Sequence, residues 1–177
     1  MMKEKGYHPA VIPSQADETL PFSMSPEGAA MYTALKKAFD VYERLEEKKD
    51  CLIIAADTVV YLDRIIGKPK NPREAFETLS AMRERTHQVI TGVCVIDTSA
   101  SLKRCFYSVS GVSFGYYSDE ELKAYVNTPE PYDKAGGYAV QGTFGRYVEK
   151  IEGDVNNVIG FPWDMIEPFL RSFPGSV

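Results

Sequence analysis

The chain has 177 residues, a length that one compact core can stabilise, and it is 44% hydrophobic and 25% charged with 11 Tyr and 9 Phe, which excludes a disordered polymer. A formal net charge of -5 excludes wrapping a long nucleic-acid backbone, which needs a broad basic surface, yet permits a small phosphate ligand held by local cations and backbone N–H groups. Cys51, Cys94 and Cys105 show no C-x-x-C spacing, so neither a disulfide framework nor a zinc site is indicated, and no apolar run approaches the roughly 18 residues of a membrane span. Reduced thiols and the lack of an apolar leader after Met1 lead to the expectation of a cytoplasmic protein with no membrane partner.

In chain order, a short extended stretch at Ala10-Val11-Ile12 precedes a helix with Ser25 as N-cap and Pro26 at its first position. Its apolar stripe, Ala30, Ala34, Ala38, Val41 and Leu45, recurs at spacings of three or four and fades in the charged run Glu46–Asp50. The unalternating run Cys51–Ala56 predicts a strand covered on both faces and central in a sheet, ending at Asp57-Thr58. The chain continues through Val59–Leu62, turns near Asp63-Arg64 and returns by Ile65-Ile66 to Gly67-Lys68-Pro69, a hairpin beside a carboxylate. A second helix starts at Asn71 with Glu74 in the capping-box position and ends near Arg83. Gln88–Asp97 and Leu102–Phe114 predict antiparallel neighbours, and Ser118 with Glu121 predicts a capped third helix running to about Asn127. Asp133–Gly145 holds four of the 13 glycines and reads as loop and strand edge, while Gly160–Phe173 reads as a terminal helix with core aromatics. Together these elements predict one α/β domain over residues 1–177, with a mixed, twisted sheet flanked by helices and a ligand cleft.

Several residues could carry chemistry. Asp57, expected at the carboxyl end of a buried strand, suits a metal ligand at the edge of a ligand crevice, or else caps a turn. Lys68, between a permissive Gly67 and a rigid Pro69, is either a phosphate-facing cation or an ordinary exposed lysine. Asp133, Lys134 and Gln141 surround close-approach glycines; Gln141 could pair with a pyrimidine edge or cap stray backbone groups. Glu18 is either a second carboxylate for magnesium or a solvated loop acid. His87 and His8, without acidic or thiol partners at ligand spacing, read as structural or exposed.

These pieces occur with Ala56-Asp57-Thr58-Val59-Val60, Gly67-Lys68-Pro69, Arg85-Thr86-His87, Thr91-Gly92-Val93, Asp133-Lys134-Ala135-Gly136 with Tyr138, Gln141-Gly142, and Asn157-Val158-Ile159-Gly160 with Pro162. In this order and at these separations they resemble the Maf-like nucleoside triphosphate pyrophosphatases from about Gly6 to Leu170. The resemblance implies a Maf or inosine-triphosphatase-like fold. It also implies a metal-dependent hydrolase that cuts dTTP or UTP, modified pyrimidine nucleotides included, to the monophosphate and pyrophosphate. By the same resemblance Asp57 is proton acceptor and metal contact, Glu18 its acidic partner at Mg²⁺ or Mn²⁺, and Lys68 and Lys37 phosphate-side cations. Thr58 and Gln141 keep the pattern that accompanies dTTP and UTP, and a homodimer is implied; Lys134, the cation beside the close-approach glycines, is expected as a further substrate contact.

The departure from the family lies at the start. The resemblance leads one to expect an apolar strand and a Ser-x-Ser-Pro-Arg-Arg loop, whereas Met1–Tyr7 matches the end of the helix that follows that loop, about a dozen residues further on. Two expectations follow: a start site downstream of the true one, or a paralogue that binds nucleotide or regulates cell division with little turnover.

Overall fold

The computed structural model describes residues 1–173. After a 3₁₀ turn at Lys3–Lys5, a strap without helix or strand leads to α1 (Pro26–Arg44), followed by β1 (Leu52–Leu62), β2 (Arg64–Ile66) and α2 (Pro72–Met82). Then come β3 (Thr86–Asp97), β4 (Leu102–Phe114), α3 (Asp119–Val126), β5 (Val148–Glu152), α4 (Val155–Ile159) and α5 (Trp163–Ser172). The caps act as the sequence predicts. Ser25 Oγ accepts from Gly28 N, Asn71 Oδ1 accepts from Glu74 N, and Ser118 with Glu121 forms a reciprocal capping box. Among the described residues no helix is long and apolar enough to cross a membrane.

The five strands form one sheet in the order β2-β1-β3-β4-β5. Every described pairing is antiparallel, so the expected mixed sheet is replaced by an antiparallel one within the α/β class. The reason lies in α2: Ile66 and Val89 both pair with Val60, so the helix leaves and rejoins the sheet at the same end. A helix between two strands forces parallel pairing only when it crosses from one end to the other.

The expected central position of β1 also changes. β3 takes the centre, and β2 reaches only Val60–Leu62, leaving the outer edge of residues 52–59 without a partner strand among the described residues. An unbroken apolar run reports cover on both faces, which is a different matter from having a neighbour on both edges.

The two faces are loaded differently. On one, α1 lies against Ile53, Ala55, Cys94 and Ile96 through fully buried Ala34 and Ala38. A Cβ on Gly92 would fall 2.3 Å from the Ala30 carbonyl carbon, so only glycine lets α1 approach β3 this closely. The other face carries two separate clusters. α5 packs Trp163, Ile166 and Leu170 on Val93 and Val95, while α2 and α3 pack Leu79, Met82 and Leu122 around Val89, Val112 and Phe114. Between them lies a gap, bordered by α4 and by the turns of residues 130–147.

Candidate active site

The gap opens into a cleft of about 390 Å³. Asp57, Thr58, Lys37, Lys68, Lys134 and Gln141 all line it. Asp57 does not end its strand as the sequence suggests; it sits within β1, paired with Gly92. Asp57 and Thr58 point to opposite faces, because successive strand side chains alternate. Both reach one cleft because the outer edge of β1 is open at this level and the cleft passes round it.

On the α1 side, Lys37 Nζ stands 2.6 Å from Asp57 Oδ1 and 2.9 Å from Glu18 Oε1. The last turns of α1 are set by the alanine stripe, and Glu18 is delivered by the strap. Arg44 Nη2 donates to Pro13 O at 2.7 Å and Gln15 N donates to Asp40 Oδ2 at 2.8 Å, tying the strap along α1. Asp57 is 15% exposed and Lys37 22%, whereas Glu18 is 55% exposed.

Burial dominates the titration of Asp57 and raises its pKa, against the opposing pull of Lys37; the Glu18 charge raises it further and Lys68 lowers it. Burial lowers the Lys37 pKa, but its hydrogen bonds and ion pairs with Asp57 and Glu18 outweigh this and the net shift is upward. The hydrogen bond from Lys37 lowers the pKa of Glu18. The result is a partly buried carboxylate of raised pKa held in place by a cation.

Two carboxylates that converge on one cation fit a divalent metal, since magnesium takes one or two carboxylates and completes its shell with phosphate oxygens and water. Among the described residues no three His, Cys, Asp or Glu side chains gather to hold a metal by themselves. The donor set therefore suits a metal shared with a phosphorylated ligand.

Lys68 and Lys134 stand on two loops that are tied together. Gly136 N donates to Gly67 O at 3.1 Å, and Gly136 takes φ 72° with its α-carbon against Val60, a left-handed turn that a larger residue would strain. Lys134 Nζ pairs with Asp133 Oδ2 at 2.6 Å, and Lys68 is exposed beside them.

The opposite half of the cleft is neutral. Val60, Val89, Tyr138, Val158 and Ile159 form its walls, and Gln141 lies exposed at the rim. Beneath Thr58 runs a buried network that residue patterns alone do not show. Thr58 Oγ1 and Thr91 Oγ1 are 2.9 Å apart, and Thr91 Oγ1 donates to Asn157 O at 2.9 Å. Thr91 N donates to Asn157 Oδ1 at 3.1 Å, while Asn157 Nδ2 donates to Val89 O and Ser110 Oγ, each at 2.9 Å. Asn157 and Thr91 are wholly buried. The signal available in the sequence was the pair of short motifs around Thr91 and Asn157, which carried no chemistry until the fold joined them.

His87 is structural, as expected: it is buried, and its Nε2 lies 2.6 Å from Tyr138 Oη beneath the cleft, where burial pushes its pKa down to about 4. His8 is exposed. A larger groove of about 690 Å³ follows the open edge of β1, lined by Tyr7, Ile12, Val41, Leu45 and Ile54. It shares only Lys37 with the candidate residues and contains no carboxylate, so it offers no hydrolytic chemistry of its own.

Residues 1–173 match the family described as Maf-like protein. The chain is 44% identical over 173 residues to a dTTP/UTP pyrophosphatase of Caldicellulosiruptor saccharolyticus, spanning 97% of this chain and 87% of the relative. It is 43% identical over 164 residues to a dTTP/UTP pyrophosphatase of Caldicellulosiruptor bescii, spanning 92% and 82%. A protein of the same description from Thermococcus kodakarensis is 42% identical over 157 residues, spanning 88% of this chain and 81% of its own.

Proposed function

The chain belongs to the Maf-like family, and from that membership and the geometry of the cleft we propose that it is a nucleoside triphosphate pyrophosphatase cutting dTTP and UTP to the monophosphate and pyrophosphate. One observation carries the reading: a partly buried Asp57 of raised pKa sits at 2.6 Å from Lys37, in a cleft that also presents Lys68 and Lys134. Relatives at 39–44% identity described as dTTP/UTP pyrophosphatases support the choice of substrate.

The triphosphate spans the charged half of the cleft, with its phosphates towards Lys37, Lys68 and Lys134. Asp57 accepts the proton of the attacking water as its oxygen approaches phosphorus. Its raised pKa suits this task, and Lys37, 2.6 Å away, opposes the effect of burial and favours the ionised carboxylate. Lys68 and Lys134 offset the charge that grows on the departing pyrophosphate, a contribution made by position rather than by covalent bonding. A divalent cation, Mg²⁺ or Mn²⁺, held by Asp57 and Glu18, would neutralise phosphate charge and polarise the reacting centre. The base lies in the neutral half, against Val89, Tyr138 and Val158, with Thr58 and Gln141 at its polar edge. No covalent intermediate is required, and the site of action on this reading is the cytoplasm.

The test is incubation of the chain with UTP or dTTP and Mg²⁺, followed by chromatography for monophosphate and pyrophosphate. Monophosphate with equimolar pyrophosphate is expected. Saturable nucleotide binding without product would replace the hydrolase with a nucleotide-binding regulator.

A further inference from the structure

The buried network beneath Thr58 has a direction. A backbone carbonyl only accepts, so the 2.9 Å contact between Thr91 Oγ1 and Asn157 O commits the single hydroxyl proton of Thr91. Thr91 then has only lone pairs to offer Thr58, and in the 2.9 Å contact between the two hydroxyls Thr58 must donate. Reversing this would set two oxygen lone pairs against each other at 2.9 Å inside a dry core.

The same logic fixes the rest of the chain of bonds. Thr91 N can only donate and Val89 O can only accept, so the Asn157 amide has one allowed orientation. Ser110 accepts from Asn157 Nδ2 and passes its own proton to Asp154 O at 2.9 Å. Every proton in the network is assigned by a partner that admits no alternative.

We infer that Thr91 and Asn157 are positioning residues that make the Thr58 hydroxyl an acceptor-only group in the cleft, so that it selects bases presenting a ring N–H. With its proton drawn back to Thr91, Thr58 turns lone pairs to the ligand. Gly160 leaves that side open, since a Cβ there would come within 3.1 Å of Thr58 Oγ1. The imide N3–H of uracil or thymine satisfies such a group, whereas the bare N3 of cytosine sets a lone pair against it. The inference rests on the pyrimidine-nucleotide reading of the cleft and adds the physical origin of its selectivity, placed in two residues that do not touch the base.

The experiment measures binding of uridine and cytidine triphosphates carrying an α,β-imido bridge, which block turnover, and of the N3-methyl uridine analogue. The wild-type chain is expected to prefer the uridine analogue over both others by about tenfold or more, the size of one unmade hydrogen bond to a desolvated group. Thr91→Val frees the Thr58 proton to turn towards the ligand and is expected to reduce the uridine-over-cytidine preference by about tenfold. Thr91→Ser keeps the acceptor and restores the preference, which a merely structural role would not require. Asn157 O retains Gly160 N at 2.9 Å, so Thr91→Val leaves no orphaned carbonyl. Should that variant nevertheless fail to fold, the wild-type comparison of the three analogues decides alone.

Equal wild-type affinity for all three analogues, or an unchanged preference in folded Thr91→Val, overturns the inference while leaving the hydrolase reading intact. Binding of none of them overturns both.

Discussion

The two halves of the cleft are built on opposite terms. At the end that the proposed function gives to the phosphates, Glu18, Lys37 and Asp57 carry formal charge, shift one another's pKa values and draw on a strap, a helix and a strand that are distant in sequence. At the base end of the same reading, Thr58, Thr91, Asn157 and Ser110 are neutral, buried in the main and satisfied by one another. The first half is adjustable, because its electrostatics change with every ion that binds. The second is preset, because each hydrogen bond leaves its neighbour a single choice. A pyrophosphatase needs both: charge that responds to a reaction and a base edge that does not.

The contrast can be broken first at Asp57. Asp57→Asn should lower kcat by about 10²–10⁴-fold, the usual worth of a general base, with little change in melting temperature, since loss of the Lys37 ion pair is offset by removal of a charge that burial disfavours. Steady-state rates and calorimetry on the same preparation check both halves of the statement.

The reverse pattern is expected at Asn157. Asn157→Ala would remove the side-chain hydrogen bonds to Thr91 N, Val89 O and Ser110 Oγ in a fully buried place and cost about 3 kcal/mol of stability, read as a fall in the urea midpoint. If this substitution instead proved neutral in stability, the preset character of the base end would be lost.

Similar in size is the effect of His87. Its pKa falls from 6.5 to about 4 on burial, so the unfolded chain binds the proton more readily across that window. Stability from this group is therefore complete above about pH 6.5 and is lost as pH falls towards 4, about 3 kcal/mol in all. Denaturation curves across that range should show the slope, and His87→Gln should flatten it.

The finer test concerns Lys37. Because it lowers the pKa of Asp57 against burial, Lys37→Met should move the acid limb of the kcat/KM profile to higher pH. Glu18→Gln should have the least effect: it is an exposed partner, and an increase of up to about fivefold in the Mg²⁺ needed for half-maximal activity is expected.

Much of the architecture was legible because it follows local rules. Ser25, Asn71 and Ser118 announce their helices by side-chain chemistry that acts within one turn, and the alanine stripe of α1 states which face is buried. Asp57 stood out because a carboxylate after six apolar or small residues is costly unless it is used. What remained hidden was tertiary. A strand's apolar run does not say that its outer edge is free, and a helix between strands does not say at which end it returns, so the centre of the sheet and its antiparallel pairing had to be seen. β5 and α4 span only five residues each, too few for a period to show. Lys37 gained its place from resemblance, and the Thr91–Asn157 network joins positions 66 residues apart.

β1 and β3 hold ten consecutive pairs, from Leu52 with Asp97 to Tyr61 with Gln88, and on the proposed function this alignment determines which side chain meets which part of the nucleotide. Inserting or deleting one residue ahead of Asp57 would send the acid to the base side and the hydroxyl to the phosphate side, with every functional group still present in the chain. The chemistry is thus written in the phase of a strand as much as in its letters, and a frame slip inside β1 would silence the protein more thoroughly than many substitutions.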